Sequence, residues 1–252
     1  IEQILDELRA ARMAVVVDDP GRENESDLVM AAQKVTPAAI NFMAKHGRGL
    51  ICLTLTAKIV ANLGLQMMTG NNQSRYGTAF TVSVEARHGV TTGISAADRA
   101  HTILTVVKAE AGCEDLVSPG HIFPLRAQKG GVLVRAGQTE ASVDLARMAG
   151  LDPSGVICEI MNDDGTMARM DDLEKFIAAH NLKMCSVADI IRYRLQQEKL
   201  IRRMIDVKLP TAFGKFDLLL YNDVAGTGPH LALTRGSIGL EEGRVYDEPI
   251  LV

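Results

Sequence analysis

The densest chemistry in the sequence lies in Asp18-Asp19-Pro20-Gly21-Arg22-Glu23-Asn24-Glu25-Ser26-Asp27, where five carboxylates surround one arginine. Like charges this close repel one another unless a cation, a positively charged partner or solvent relieves them. Two readings stay open: a site for a divalent cation, or a solvated acidic surface loop. The spacing is not that of an EF-hand. The setting between two apolar stretches favours a site, because loops that follow buried strands are where sites tend to sit.

Three more segments carry reactive groups. His121 follows Ser118-Pro119-Gly120 and precedes Ile122-Phe123-Pro124, which makes it either a proton-transfer group or a packed or surface histidine. Arg135-Ala136-Gly137-Gln138-Thr139 joins a strand-like run to a helix-like run. A helix N-terminus offers free N–H groups and positive dipole, and Arg and Thr beside it suit phosphate oxygens. Glu159 sits inside the apolar run Val156-Ile157-Cys158-Glu159-Ile160, either with a raised pKa suited to proton transfer or facing out of an alternating strand. Together the four segments match a phosphorylated, metal-chelating substrate: acids for a cation, Arg and Thr for phosphate, His and Glu for protons.

The elements that must hold these residues follow from periodicity. Ile1, Ile4, Leu5 and Leu8 share a helical face, and residues 14–17 form a short buried strand. Apolar character resumes at residues 27–32. Thr36-Pro37 opens a helix through about residue 45, stopped by Gly47 and Gly49. Residues 50–56 and 80–85 read as strands, 57–63 as a short helix, and 69–78 as a polar stretch. Asp98 caps a helix through about residue 111, and residues 118–120 form a turn region. Residues 131–135 and 155–161 read as strands, and 139–149, 171–179 and 186–195 as helices. The fold class is α/β (α+β): a layered mixed sheet with helices packed on it. Past residue 197 the pattern changes. Residues 198–208 read as charged and irregular, and from Pro210 short strands with glycine turns at Gly214, Gly226, Gly228, Gly236 and Gly239 make a small β-rich segment.

Composition bounds the function. With 252 residues, 47% hydrophobic and 23% charged, the chain is one or two globular domains. The net charge of −4 equals that of residues 18–27, since all other acids and bases cancel, so no basic surface for nucleic acid or membrane is expected. Cys52, Cys113, Cys158 and Cys185 form no CxxC pair, which argues against a tetrahedral zinc site or disulfide scaffold and for reduced thiols in the cytoplasm. No apolar run approaches the ~20 residues of a membrane helix, and residues 1–13 are too charged for a signal sequence.

The strings DDPGRENESDLVMAA, TTGISAADRA, PGHIFPLRA, GGVLVRAGQTEASVDLARMAG and GVICEIMNDDGTMAR resemble the 3,4-dihydroxy-2-butanone 4-phosphate synthase family of riboflavin biosynthesis, in the expected order over residues 1–198. The resemblance implies a lyase that converts D-ribulose 5-phosphate to 3,4-dihydroxy-2-butanone 4-phosphate and formate. It also implies Mg²⁺ or Mn²⁺, and a homodimer with active sites near the subunit interface. Carried over by motif, Glu23 is a metal ligand that also meets substrate, and Arg22 and Asp27 contact substrate. Arg135, Ala136, Gly137, Gln138 and Thr139 hold the phosphate end, and His121 and Glu159 are the catalytic pair, Glu159 also touching substrate.

One position departs from the family's pattern. Its phosphate loop reads Arg-x-Gly-His-Thr, with the histidine as a metal ligand, and Gln138 stands there. An amide oxygen ligates Mg²⁺ and is neutral like imidazole, but its reach and geometry differ. This substitution motivates a rival expectation: an impaired homologue that binds sugar phosphate or a pathway partner. In residues 199–252, Leu209-Pro210-Thr211, Phe213-Gly214, Phe216 and His230-Leu231-Ala232-Leu233 are similar to the start of GTP cyclohydrolase II. No cysteine follows Cys185, so that family's zinc ligands are missing and no cyclohydrolase activity is expected of this segment.

Overall fold

Strand residues alternate between two apolar faces, and this alternation sets the layers. The structure is a computed structural model that describes residues 1–223 and 228–236; it divides into two units, Ile1–Gln197 and Glu198–Val252. In the first unit, β1 (Ala14–Val17), β2 (Ser26–Ala31), β3 (Cys52–Leu55), β4 (Val84–Ala86), β5 (Leu116–Arg126), β6 (Ser154–Glu159) and β7 (Lys183–Ser186) form one sheet in the order β4-β5-β3-β6-β2-β1-β7. The β3–β5 and β1–β7 pairs are parallel and the others antiparallel. The seven helices are α1 (Glu2–Arg9), α2 (Pro37–Phe42), α3 (Ala57–Asn62), α4 (Ala96–Val106), α5 (Gln138–Met148), α6 (Met170–His180) and α7 (Val187–Gln197).

Val15, Leu28, Leu53, Val156 and Cys158 point to one face, covered by Ile40 of α2, Val60 of α3, Ile103 of α4 and Leu173 of α6. Val16, Val29, Cys52, Leu125 and Ile157 point to the other, covered by Leu5 and Leu8 of α1, Leu145 of α5 and Ile190 of α7. The result is helix, sheet, helix. The buried area on both faces supplies the main drive to fold. On the second face α5 lies very close to the sheet, since a Cβ on Gly155 would sit 2.7 Å from that of Ser142. Ser142 and Thr54 share a 2.7 Å hydrogen bond beneath it.

The fold class matches the expectation, and several local readings need correction. Residues 131–135 are not a strand: Gly131–Leu133 is a 3₁₀ turn, entered through Gly130 and Gly131 at positive φ and held by Val132 N–H on the Asp144 carboxylate. Ser95, not Asp98, caps α4. Asp98 instead accepts from Thr91 and Gly93 and ties the preceding loop to the helix. Ser118-Pro119-Gly120 lies inside β5, where the register against β4 shifts. Of residues 80–85, Phe80 and Thr81 make isolated bridges and only Val84 and Glu85 belong to a strand, the short β4. The α2 helix ends at Phe42 and continues as a π-helical turn, Met43–Gly47. The α4 helix stops at Val106.

In the second unit the stretch read as irregular is a long strand, β8 (Ile201–Thr211), followed by β9 (Gly214–Asp223) and β10 (Pro229–Thr234) in an antiparallel sheet, β10-β9-β8. The expected Gly214 turn joins β8 to β9 at φ 122°. Gly226 and Gly239 lie outside the described residues.

Candidate active site

Register sets two carboxylates side by side. Asp27 of β2 pairs with Glu159 of β6, each two residues from a residue on the α5 face, Val29 and Ile157. Both side chains therefore emerge under the N-terminus of α5. Leu50 N–H donates to Glu159 Oε2 at 2.8 Å. The approach of the chain depends on Gly49, whose Cβ would lie 2.4 Å from that same oxygen. The π-helical turn delivers both residues, because it ends at Gly47 and Arg48 turns the chain at φ 69°.

The α5 helix begins on Gly137, so the N–H groups of its first turn have no partners within the helix. A Cβ on Gly137 would meet Arg135 Nη1 at 2.5 Å and Arg22 Nη2 at 3.2 Å. Two guanidiniums thus converge on a helix N-terminus, a setting that attracts anions. Arg135 is held by the buried Glu140 at 2.6 Å, by Tyr76 O at 3.1 and 3.2 Å and by Thr78 Oγ1 at 3.1 Å. Arg22 is held by Asp18 at 2.7 Å and Glu23 at 3.0 Å.

Glu23, Glu25, Asp27, Gln138, Thr139 and Glu159 line a cavity of about 60 Å³ beside Arg135. Burial pushes Asp27 well above the ordinary carboxylate range, and repulsion from Glu159, Glu23, Glu25 and Asp18 adds to it. Burial also raises Glu159, against the N–H bonds it accepts, and raises Glu25, with Glu23 and Glu159 reinforcing. The site holds more negative charge than it can neutralise, so it favours protons or a cation.

Among the described residues no three His, Cys, Asp or Glu side chains form a ready metal cage. A hard dication such as Mg²⁺ keeps several waters and binds through one or two carboxylates plus substrate oxygens. Glu23 lines the cavity and would offer one carboxylate to such an ion. Gln138 donates its amide nitrogen to Glu25 O at 3.4 Å, so its carbonyl oxygen is the part available to a cation. These oxygen donors fit a hydrated dication.

The expected residues divide into two places. Arg22, Glu23, Asp27, Arg135, Ala136, Gly137, Gln138, Thr139 and Glu159 gather around the cavity or the adjoining helix end. His121 does not line it. Phe123 pairs with Cys52 and Cys52 with Ile157, so the same register puts His121 in a row with Leu50 and Glu159, two strands or roughly 10 Å from the latter. There His121 Nδ1 meets the Glu85 carboxylate at 3.2 Å. Gly93 makes room for that carboxylate, since a Cβ would overlap it at 1.5 Å. A larger void of about 430 Å³ adjoins the acidic loop at Asp18, Arg22 and Glu25; its Val17, Leu173, Val187 and Ile191 walls make it mainly apolar.

Sequence reading missed Tyr76, Thr78, Glu85 and Glu140. Tyr76 and Thr78 were within the polar stretch 69–78, whose composition signals only a loop. Glu140, at the third position of a helix, looks like an ordinary first-turn acid.

The family model for 3,4-dihydroxy-2-butanone 4-phosphate synthase matches residues 2–193. A synthase of that name from Neisseria meningitidis serogroup B is 57% identical over 237 residues, covering 94% of this chain and 65% of the relative. The riboflavin biosynthesis protein RibBA of Aquifex aeolicus is 54% identical over 254 residues, covering 100% of this chain and 61% of its own. The chain therefore spans under two thirds of the length of these relatives. The crystal structure of RibBX, a two-domain synthase from A. baumannii, superposes with a TM-score of 0.84 at 48% identity, over 94% of this chain and 70% of that one. A synthase solved with two magnesium ions gives 0.74 at 40% identity, over 78% of this chain and 96% of that one. These names lend no support to the impaired-homologue expectation. With the paired carboxylates, the convergent arginines and this match across residues 2–193 in hand, the chain belongs to the 3,4-dihydroxy-2-butanone 4-phosphate synthase family.

Proposed function

We propose that the chain converts D-ribulose 5-phosphate to 3,4-dihydroxy-2-butanone 4-phosphate and formate, with Mg²⁺ or Mn²⁺. The observation that carries this reading is the Asp27–Glu159 pair set beneath an anion-binding helix end. Five carbons become four plus one with no change in overall atom count, so no oxidant or second substrate is needed. Arg135, Arg22, Thr139 and the backbone N–H groups of Gln138 and Thr139 in the first turn of α5 bind the phosphate. Glu23 and Gln138 hold the cation, which when bound polarises neighbouring substrate oxygens. Asp27 orients the substrate hydroxyls. Glu159, whose pKa burial raises, takes or gives protons during the reaction.

His121 serves a position roughly 10 Å from Glu159. A homodimer gives that exposed histidine a substrate to meet, and Leu50 and Ile94, large apolar residues 43% and 55% exposed in the single chain, favour a covered surface there. Within residues 199–252 the resemblance supports a cyclohydrolase-like segment, and these residues themselves carry no cysteine. No described helix is long and apolar enough to cross a membrane. All four thiols are free, and a reducing cytoplasm is the compartment that suits them; cell fractionation checks it.

The deciding assay follows formate from ribulose 5-phosphate. Wild type with Mg²⁺ should release it, chelator should stop it, and Glu159→Gln should lower the rate by about 100-fold or more. Wild-type formate release no faster than that of the variant sinks the reading.

A further inference from the structure

The two arginines of the site sit on separate loops, and one side chain from a third loop joins them. Tyr76 Oη donates to Arg22 O at 2.6 Å. Its ring lies under the Arg22 guanidinium, 5.0 Å from centroid to carbon. Its own carbonyl accepts two bonds from Arg135 at 3.1 and 3.2 Å. Thr78, two residues on, takes a third from Arg135. No other described residue carries such a set of bonds to both arginines.

We propose that Tyr76 is the latch that fixes the acidic loop against the phosphate loop, so that Arg22 and Arg135 are presented to the substrate as one preformed cradle. This rests on the synthase reading for its effect on turnover, but the latch itself is a property of the loops. Tyr76 is a positioning residue, acting through the arginines. Without it, Arg22 keeps Asp18 and Glu23 as partners but loses the tie that sets the loop's distance from α5. Binding then has to order residues 18–26 itself, which appears as weaker substrate capture and not as a slower chemical step.

Two variants test this in the full chain. Tyr76→Phe removes only the hydroxyl bond, and Tyr76→Leu removes the ring contact as well, while both leave the backbone carbonyl. The readouts are KM and kcat for ribulose 5-phosphate, and amide hydrogen exchange of residues 18–26, where Asp18, Arg22 and Glu23 N–H groups are all bonded. Tyr76→Phe should raise KM about fivefold, the share of one neutral hydrogen bond, with kcat within about twofold, and Tyr76→Leu should raise it further. Exchange at residues 18–26 should quicken in the same order while β1, residues 27–31 of β2 and β3 to β7 stay protected. Unchanged exchange at 18–26 in both variants overturns the latch, as does faster exchange spread evenly over the sheet. If exchange responds as expected in the two variants while the wild type makes no formate, the latch stands and the synthase reading fails.

Discussion

Glu159 was readable in the sequence as an acid inside an apolar strand, yet its partner was not. Asp27 lies 132 positions away in the numbering, and only the β2–β6 register reveals that the two are neighbours. The pairing has an energetic sign. An acid whose folded pKa is raised holds its proton more tightly in the folded state. Its charge therefore costs stability above that folded pKa, and the cost fades as pH falls through it toward the unfolded value. Asp27→Asn should consequently raise the melting temperature of metal-free protein near pH 8 by about 2–4 °C, the scale of ~1 kcal/mol in a domain this size. The gain should shrink toward pH 4 as the wild-type acid protonates. A variant that melts lower than wild type at pH 8, or by a margin independent of pH, contradicts this account. Gln138 is also a residue-scale matter: the sequence exposes the substitution, and the structure shows its amide nitrogen engaged with Glu25 O, leaving the amide oxygen without that bond.

At the scale of elements, helices with caps and clear periodicity were legible. Thr36 and Thr56 accept from Ala39 and Ile59 N–H as N-cap residues do, and α5, α6 and α7 fall within two residues of their expected bounds. Segments ruled by tertiary contacts were not legible. GVLVR has β-branched residues and reads as a strand, but Gly130 and Gly131 at positive φ and the Asp144 carboxylate wind it into a 3₁₀ turn. Ser118-Pro119-Gly120 has turn composition, but β5 absorbs it as an irregularity, with Gly120 so close to Val84 that a Cβ would sit 2.1 Å from its carbonyl carbon. The placement of α5 is a further tertiary effect, because it depends on Gly155 having no side chain under Ser142. Gly155→Ala should therefore cost about 1–3 kcal/mol in urea unfolding, the range for overpacking a core. An unfolding midpoint equal to wild type would show that α5 can lift without penalty.

On the scale of the whole molecule, the two units invite separation. A solved synthase matches 78% of this chain with 96% of its own, and Glu2 and Tyr193 bond across the first unit, so residues 1–197 close on themselves. A chain ending at Gln197 should fold, keep ribulose 5-phosphate turnover within about threefold, and sediment at the mass of two copies. Loss of turnover on truncation would make the second unit part of the synthase, and a one-copy mass would remove the dimer. Closure also has a cost in time. The strand β1 gains β2 on one side within a few residues, but its other side waits for β7, which begins at Lys183. At ribosomal speeds of about 5–20 residues per second, the Ala-Val-Val-Val edge stays open for roughly ten to thirty seconds of synthesis. Such an edge invites pairing with another nascent chain. Asp18 and Asp19 follow it directly, and charges in that position act as gatekeepers against aggregation. Asp18, which adds to the negative charge felt by Asp27 and Glu25 in the finished site, therefore also guards the strand before the site exists.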